Sequence, residues 1–140
     1  MTTIEVVKAQ DLALDDVLAL YGAVEWLAYT REPAALQRAL EGSSTLVTAR
    51  DGRMLVGLAR VISDGASICY LQDILVRPSH QRRGVGRALA ERALEQYPHV
   101  RQKVLITDDE PRQKAFYEAL GYTQTDEFPG GTIRAFVRFD

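Results

Sequence analysis

The sequence has 140 residues, of which 46% are hydrophobic and 26% charged, and this composition excludes a disordered chain. Its one cysteine, Cys69, excludes a disulfide framework and a cysteine-based zinc site, and its net charge of −2 argues against a nucleic-acid partner. Because no apolar run approaches the ~20 residues that span a bilayer, we expect a single cytoplasmic domain, residues 1–140, without a metal or a membrane partner.

The first third of the chain predicts one strand and two helices. Ile4–Val7 is a short apolar run typical of a strand, and Asp15–Glu25 carries apolar residues at helical spacing. Pro33 suits the first turn of a second helix, which Gly42 ends.

Three strands joined by two tight turns are predicted next. Thr45–Arg50 and Met54–Ile62 are rich in β-forming residues and flank the turn sequence Asp51-Gly52. Asp64-Gly65 turns the chain again into Ser67–Val76. We therefore expect these three strands to be consecutive and antiparallel.

The rest of the chain alternates helices and strands. Gly84–Gln96 predicts a helix that crosses over to a parallel strand at Lys103–Thr107, and Pro111–Leu120 predicts another helix. Tyr122–Asp126 and Thr132–Phe139 are expected to close the chain as two strands. The predicted order is β-α-α-β-β-β-α-β-α-β-β. It describes an α/β (α+β) fold with a mixed sheet, mostly antiparallel with one parallel crossover, and helices against the sheet.

The polar segment that opens the helix at Gly84 carries the most chemical information. Gly84 and Gly86 are separated by one residue, and Arg82, Arg83 and Arg87 place cationic charge around them. A helix N-terminus presents unpaired N–H groups and a partial positive charge, and glycine lets an anion approach the backbone. We therefore expect a pyrophosphate here, although the endings of a P-loop and of a dinucleotide fingerprint are absent.

Several patterns resemble those of the GNAT superfamily of N-acetyltransferases. Gln81–Gly86 resembles the family's Q/R-x-x-G-x-G/A loop for acyl-coenzyme A, and Asp73–Pro78 resembles its central strand. Ala115–Tyr122 is similar to its F/L-Y-x-x-L-G-F/Y signature. The resemblance covers residues 4–139 in element order. It implies a GNAT-like fold and an acetyltransferase that uses acetyl-coenzyme A (acetyl-CoA).

The resemblance also implies which residues bind the cosubstrate. Backbone groups of Ile74, Leu75 and Val76 would contact the acetyl carbonyl and the pantetheine arm. The loop that would hold the pyrophosphate consists of Gln81, Arg82, Arg83, Gly84, Val85, Gly86, Arg87 and Ala88.

Tyr117 is the residue that the resemblance assigns as general acid for the departing CoA thiolate. Helical spacing predicts a buried stripe of Phe116, Ala119 and Leu120, which leaves the Tyr117 hydroxyl free to face a cleft. The alternative is a tyrosine at the margin of the core.

Asp73 is the candidate base for the attacking amine. Period two places it on one strand face with Cys69, Leu71 and Leu75, so its carboxylate is expected among apolar neighbours, where burial would raise its pKa. The strand also resembles that of polyamine acetyltransferases, in which a glutamate stands at the place of Gln72. That departure leaves Asp73 as the candidate, and a structural hydrogen-bond acceptor is its alternative role.

The remaining thiol and imidazole groups are expected to be structural. Cys69 falls within a strand and is predicted to be a small buried residue. His80 and His99 lie in loops and are predicted to be solvated.

The acceptor site is implied by the first two helices of the family fold. Glu25, Trp26 and Tyr29 lie there, and aromatic faces attract ammonium groups by about 1–2 kcal/mol when desolvated. Together with the acidic run 108–110 they favour a small-molecule primary amine as substrate. The segment is also similar to plant and cyanobacterial arylalkylamine acetyltransferases, and the alternative role of Trp26 and Tyr29 is packing in the core.

Two other functions stay open at this stage. One is a protein N-terminal or lysine acetyltransferase, and the other is a non-catalytic CoA-binding sensor. Residues Ala135–Phe139 are apolar enough to allow a homodimer.

Overall fold

A five-stranded mixed sheet organises the fold. The computed structural model describes all 140 residues. The strands, in chain order and in sheet order, are β1 (Thr2–Val7), β2 (Thr45–Asp51), β3 (Met54–Ser63), β4 (Ile68–Val76) and β5 (Gln102–Val104). Neighbouring strands are antiparallel except β4 and β5, which are parallel. The predicted mixed sheet with one parallel crossover is therefore confirmed.

The helices follow the predicted order with one addition. They are α1 (Leu14–Ala23), α2 (Leu27–Thr30), α3 (Pro33–Glu41), α4 (Val85–Leu94) and α5 (Pro111–Ala119). Proline opens α3 and α5, since its missing N–H costs nothing in a first turn. The single turn α2 was not predicted. None of the helices combines the length and the apolar composition that crossing a bilayer requires.

The chain forms two compact units. The first, Met1–Ile106, contains the sheet and α1 to α4, and the second, Thr107–Asp140, contains α5. β3 lies at the centre of the first unit, where Leu55–Val61 are all buried. Because successive side chains of a strand point to opposite faces, both faces of this strand are covered. Leu58 packs with a leucine-rich cluster of α1 and α3, whereas Gly57 faces α4.

The two strands predicted in the second unit are wrong. Thr125–Glu127 forms a 3-10 turn, and residues 128–140 join no strand. Apolar alternation produces a strand only where a neighbouring strand supplies hydrogen-bond partners. The segment instead makes two backbone hydrogen bonds, from the Gly131 N–H to the Phe128 carbonyl at 3.1 Å and from the Ile133 N–H to the Thr125 carbonyl at 2.9 Å.

Gly57 is expected to be intolerant of any side chain, because α4 approaches the sheet closely there. A Cβ at this position would lie 2.8 Å from Leu89 Cδ1 and 3.2 Å from the Leu75 carbonyl oxygen. Leu89 is fully buried and has little room to move. We expect Gly57→Ala to lower the free energy of unfolding by about 1–3 kcal/mol, the usual cost of overpacking.

Gly22→Ala is the matched control for this variant. A Cβ at Gly22 meets nothing within 4 Å, and alanine is favoured over glycine within a helix by about 1 kcal/mol. Urea denaturation should therefore show opposite signs for the two variants. A Gly57→Ala protein as stable as the wild type would contradict the close packing of α4.

Candidate functional site

The loop between β4 and α4 presents a row of backbone donors. Arg82 and Gly84 have positive φ angles of 62° and 80°, and left-handed residues of this kind occur in backbone nests that bind anions. The N–H groups of Arg82–Arg87 donate to no acceptor of the protein, whereas the N–H of Ala88 donates to the Gly84 carbonyl at 3.0 Å. Six consecutive N–H groups thus have no hydrogen-bond acceptor within this chain.

Charged and amide side chains border these donors. Arg82 and Arg83 are exposed and form no ion pair, while Arg87 Nε donates to Glu91 Oε1 at 2.7 Å. Gln81 Nε2 donates to the Val76 carbonyl at 2.9 Å and so joins the loop to the end of β4. The cationic surroundings expected from the sequence are therefore present.

His80 supports the loop from the protein side. It is buried, its Nδ1 lies 2.7 Å from Ser79 Oγ, and its Nε2 lies 2.9 Å from Asp51 Oδ2. The hydrogen bond with His80 also lowers the pKa of Asp51. The prediction of a solvated His80 is wrong, because nothing in the local sequence indicates that the β2–β3 turn supplies a partner.

The sheet opens beside the loop. β5 pairs only with Ile68–Tyr70, so the edge of β4 that faces it has no neighbouring strand from Leu71 to Val76. Ile74, Leu75 and Val76 lie on this open stretch. Their contact with acetyl-CoA stays a prediction.

Asp73 is the centre of a buried polar cluster. Its Oδ1 accepts a hydrogen bond from the Tyr29 hydroxyl at 2.8 Å. Its Oδ2 accepts from the Tyr21 hydroxyl and from Arg60 Nε, each at 2.9 Å. The residue is 4% exposed. Asp73 pairs with Arg60 and Leu71 pairs with Val61, so Asp73 and Leu71 face opposite sides of the sheet. The predictions of a face shared with Cys69 and Leu71 and of apolar neighbours are therefore both wrong.

The partners of Asp73 come from distant parts of the sequence. Arg60 is its cross-strand neighbour on β3, and Tyr21 and Tyr29 precede it by 52 and 44 residues. One signal for the cluster was available: Arg60 is a lone charge within the apolar run Leu55–Val61, and a buried charge requires a partner. Arg60 Nη1 also donates to Ser43 Oγ at 3.3 Å.

The tyrosines of this cluster are held in their protonated form. Burial, reinforced by the charge of Asp73, raises the pKa of both Tyr21 and Tyr29. Both hydroxyls therefore keep their protons at neutral pH and donate them to the carboxylate.

Gln72 interrupts the pairing of β3 with β4. Arg60 pairs with Asp73 and Val61 pairs with Leu71, so Gln72 is the extra residue of a β-bulge. Gln72 is exposed, and its side chain lies close enough to the Tyr29 hydroxyl to oppose the rise in that group's pKa. The bulge therefore places an amide at the exposed side of the polar cluster.

The turn between α1 and α2 places the predicted acceptor residues together. The Glu25 N–H donates to the Gly22 carbonyl at 3.0 Å, and the Trp26 N–H donates to the Tyr21 carbonyl at 3.1 Å. This is a Schellman motif, with Glu25 at φ 63° where glycine is usual. The Trp26 ring packs against Tyr21 with centroids 5.9 Å apart. Glu25 thus keeps a carboxylate at a strained backbone position.

Three aromatic rings form one group, here called the aromatic cluster: Tyr21, Trp26 and Tyr29. The Tyr21 and Tyr29 centroids are 4.7 Å apart, and those of Trp26 and Tyr29 are 6.3 Å apart. Tyr21 is fully buried, Tyr29 is partly buried, and Trp26 is 37% exposed. The cluster therefore runs from the protein surface to the Asp73 carboxylate.

Tyr117 is the buried residue of α5 in the second unit. It is 9% exposed, while Phe116 is only partly buried and Ala119 is exposed. The predicted buried stripe of Phe116, Ala119 and Leu120 is therefore wrong, because α5 buries the side chain of Tyr117 and leaves Ala119 exposed. Burial raises the pKa of Tyr117 to about 12, with a hydrogen bond to Thr107 acting in the opposite direction. Its role as an acid stays a prediction.

Comparison with known proteins agrees with the fold. Residues 10–130 match the family model of the acetyltransferase (GNAT) domain. A GNAT family protein of Streptococcus pneumoniae TIGR4, SP0256, is 30% identical, with a TM-score of 0.85 over 100% of this chain and 98% of that one. The aminoglycoside N-acetyltransferase AAC(6')-Iy, solved with CoA, has a TM-score of 0.72 at 16% identity, over 100% of this chain and 95% of that one, which shows a shared fold.

Curated relatives are longer than this chain. Serotonin N-acetyltransferase 2, chloroplastic, of Oryza sativa subsp. japonica is 32% identical over 115 residues, which are 79% of this chain and 54% of that protein. Across three such relatives the chain spans between 43% and 64% of their length. The family model nevertheless covers both compact units, and the mixed sheet is that of the solved relatives. The chain belongs to the GNAT acetyltransferase family.

Proposed function

We propose that the protein transfers the acetyl group of acetyl-CoA to the primary amine of a small molecule. The observation that carries this proposal is the row of six N–H donors, Arg82–Arg87, that no acceptor of the chain occupies. Anions bind where such donors meet a helix N-terminus, and the exposed Arg82 and Arg83 add positive charge. The donor set therefore fits the pyrophosphate of CoA.

Each part of the chain has a separate task in this proposal. Gln81–Ala88 bind the pyrophosphate, and the open edge at Ile74–Val76 binds the acyl arm through its backbone. Bound acetyl-CoA supplies a thioester whose carbonyl carbon can accept an amine. Tyr117 gives its hydroxyl proton to the thiolate that leaves. Asp73 remains the candidate that receives the amine proton, and its burial restricts the route to its partner Tyr29.

The exposed end of the aromatic cluster supports a small amine as the acceptor. Trp26 and Tyr29 offer aromatic faces to an ammonium group, and Glu25 adds a carboxylate on the same turn. The rice relative carries serotonin, an arylalkylamine, in its name. The single domain over residues 1–140, its cytoplasmic location and a homodimer through Ala135–Phe139 stay predictions.

An amine panel tests the reaction directly. Thiol release from acetyl-CoA is followed with phenethylamine, tryptamine, spermidine and a peptide with a free amine. We expect turnover with the arylalkylamines. Turnover with the peptide alone would favour the protein acetyltransferase, and no turnover with any amine would overturn the proposal.

Gly84→Ala is expected to weaken the binding of CoA. Alanine at φ 80° costs about 1–2 kcal/mol, so the free loop relaxes away from the conformation that presents its donors. The Kd for CoA, measured by calorimetry, should rise by about 5- to 30-fold.

Gly65→Ala is the matched control for the loop variant. Gly65 has a φ of 76°, and a Cβ there meets nothing within 4 Å, as is true at Gly84. The same backbone strain is therefore introduced in the β3–β4 turn, away from the loop. An equal loss of CoA affinity in both variants would contradict a specific role for the loop conformation.

A further inference from the structure

We propose that the Tyr29 hydroxyl oxygen accepts a hydrogen bond from the substrate amine, and that Asp73 acts through Tyr29 as a positioning residue. The inference rests on the proposed function, since it concerns the same acceptor site. It names the substrate class as a primary amine carried on an apolar, arene-bearing chain.

The direction of the hydrogen bonds around Asp73 sets the chemistry of Tyr29. An ionised carboxylate only accepts hydrogen bonds, and the ion pair with Arg60 Nε, at 2.9 Å, identifies Asp73 as ionised. The Tyr29 hydroxyl must therefore donate its single proton to Asp73 Oδ1, 2.8 Å away. Its oxygen keeps acceptor capacity and no proton to offer. A substrate that meets this oxygen must bring the N–H.

Burial makes Tyr29 the part of the polar cluster that a substrate can meet. Asp73 and Arg60 are buried, and Tyr21 is fully buried. Tyr29 is only partly buried. The carboxylate can therefore influence a bound amine through the Tyr29 hydroxyl, which it orients and makes more electron-rich.

The surroundings of the Tyr29 oxygen define what carries the amine. The Gln72 amide and the Arg60 guanidinium both lie close enough to this oxygen to oppose the rise in its pKa. Trp26 lies next to Tyr29, with ring centroids 6.3 Å apart, and is 37% exposed. An arene on a short chain can pack against this indole while its amine reaches Tyr29. Aromatic packing and a directed N–H···O bond thus act on opposite ends of one small molecule.

Tyr29→Phe is the test variant, and Tyr97→Phe is its control. Each removes one hydrogen-bonded tyrosine hydroxyl of the first unit, but the Tyr97 hydroxyl is bonded to Thr45 Oγ1 and lies outside the polar cluster of Asp73. A hydrogen bond to a charged group is lost in Tyr29→Phe, so the KM for phenethylamine should rise by about 10- to 100-fold. The KM for acetyl-CoA should stay within about twofold. Tyr97→Phe should lower the thermal midpoint and leave both KM values near the wild type.

A pair of ligands separates hydrogen bonding from simple aromatic contact. Phenethylamine has N–H groups and its N,N,N-trimethyl analogue has none, yet both are cations with the same arene. Calorimetry on the CoA-saturated protein gives their Kd values without turnover. Tyr29→Phe should weaken phenethylamine by about 10-fold or more and change the trimethyl analogue by less than about twofold.

The outcomes distinguish this inference from the proposed function. The role of Tyr29 would be overturned if Tyr29→Phe lowered the affinity for both ligands equally or for neither of them. It would also be overturned if the wild-type protein did not bind phenethylamine. A Tyr97→Phe protein with the same KM increase as Tyr29→Phe would overturn it as well. If no amine is turned over but Tyr29→Phe still weakens phenethylamine and not its trimethyl analogue, only the proposed acetyl transfer would be overturned.

Discussion

Tyr117→Phe is expected to lower kcat by about 10²- to 10⁴-fold while the Kd for acetyl-CoA changes by less than about twofold. Loss of a positioned general acid has this magnitude, because the departing thiolate then has to leave without a proton donor. The phenyl ring preserves the buried packing of α5, where Tyr117 contacts Phe116 and Tyr122 edge-on. The loss should therefore appear in kcat and leave the fold intact.

Tyr97→Phe is the control for removing a buried phenol. Its hydroxyl is hydrogen-bonded to Thr45 Oγ1 in the first unit, and we expect a near-normal kcat from this variant. Steady-state kinetics with the best amine of the panel, together with CoA calorimetry, measure both proteins. A Tyr117→Phe enzyme that turns over at the wild-type rate would refute the acid role. Tight CoA binding with no turnover in the wild type would indicate the CoA-binding sensor.

The pH profile of kcat supplies a second readout of Tyr117. Burial raises its pKa to about 12, above the ordinary value of about 10, so the proton that it donates is retained throughout the neutral and moderately alkaline range. The wild-type kcat should show no descending limb from this group below about pH 11. A descending limb centred near pH 10 would mean that the acid is a phenol with an ordinary pKa.

The largest expected loss of stability follows from Arg60→Met. This change leaves the buried carboxylate of Asp73 without its ion-pair partner, and breaking a buried pair costs about 3–5 kcal/mol. The Tyr21 and Tyr29 hydroxyls still donate to the carboxylate, so we expect a value near the lower end of that range. Guanidinium denaturation measures the loss as a shift of the midpoint at constant slope.

A second substitution identifies the cause of that loss. Arg60→Met combined with Asp73→Asn removes both charges and retains an acceptor for the tyrosines, so it should recover at least about 1 kcal/mol. Arg50→Met is the surface control, since its pair with Asp16 is 3.9 Å long and partly exposed to solvent, and we expect a change below about 1 kcal/mol. A double variant less stable than Arg60→Met would show that the charge of Asp73 is not the source.

The site was only partly accessible to sequence reasoning. The glycine loop at Gly84 and Gly86 could be recognised because its function depends on backbone geometry that local residues impose. The partners of Asp73 could not, because Tyr21 and Arg60 meet it through helix packing and strand register. A one-residue bulge at Gln72 sets that register, and no feature of the local sequence indicates it. Period two alone therefore placed Asp73 on the face of Cys69 and Leu71, whereas the bulge puts it on the opposite face.

The fold shows the same division between local and distant causes. Tight turns such as Asp51-Gly52 and the helix start at Gly84 depend on conformations that a few adjacent residues prefer, so the sequence by itself determined the order of β2, β3, β4 and α4. The residues after Tyr122 alternate like a strand, yet a strand exists only when another segment satisfies its N–H and C=O groups. Tertiary structure alone decided that point, as it decided which hydroxyl donates to Asp73, because both depend on contacts between residues far apart in the chain.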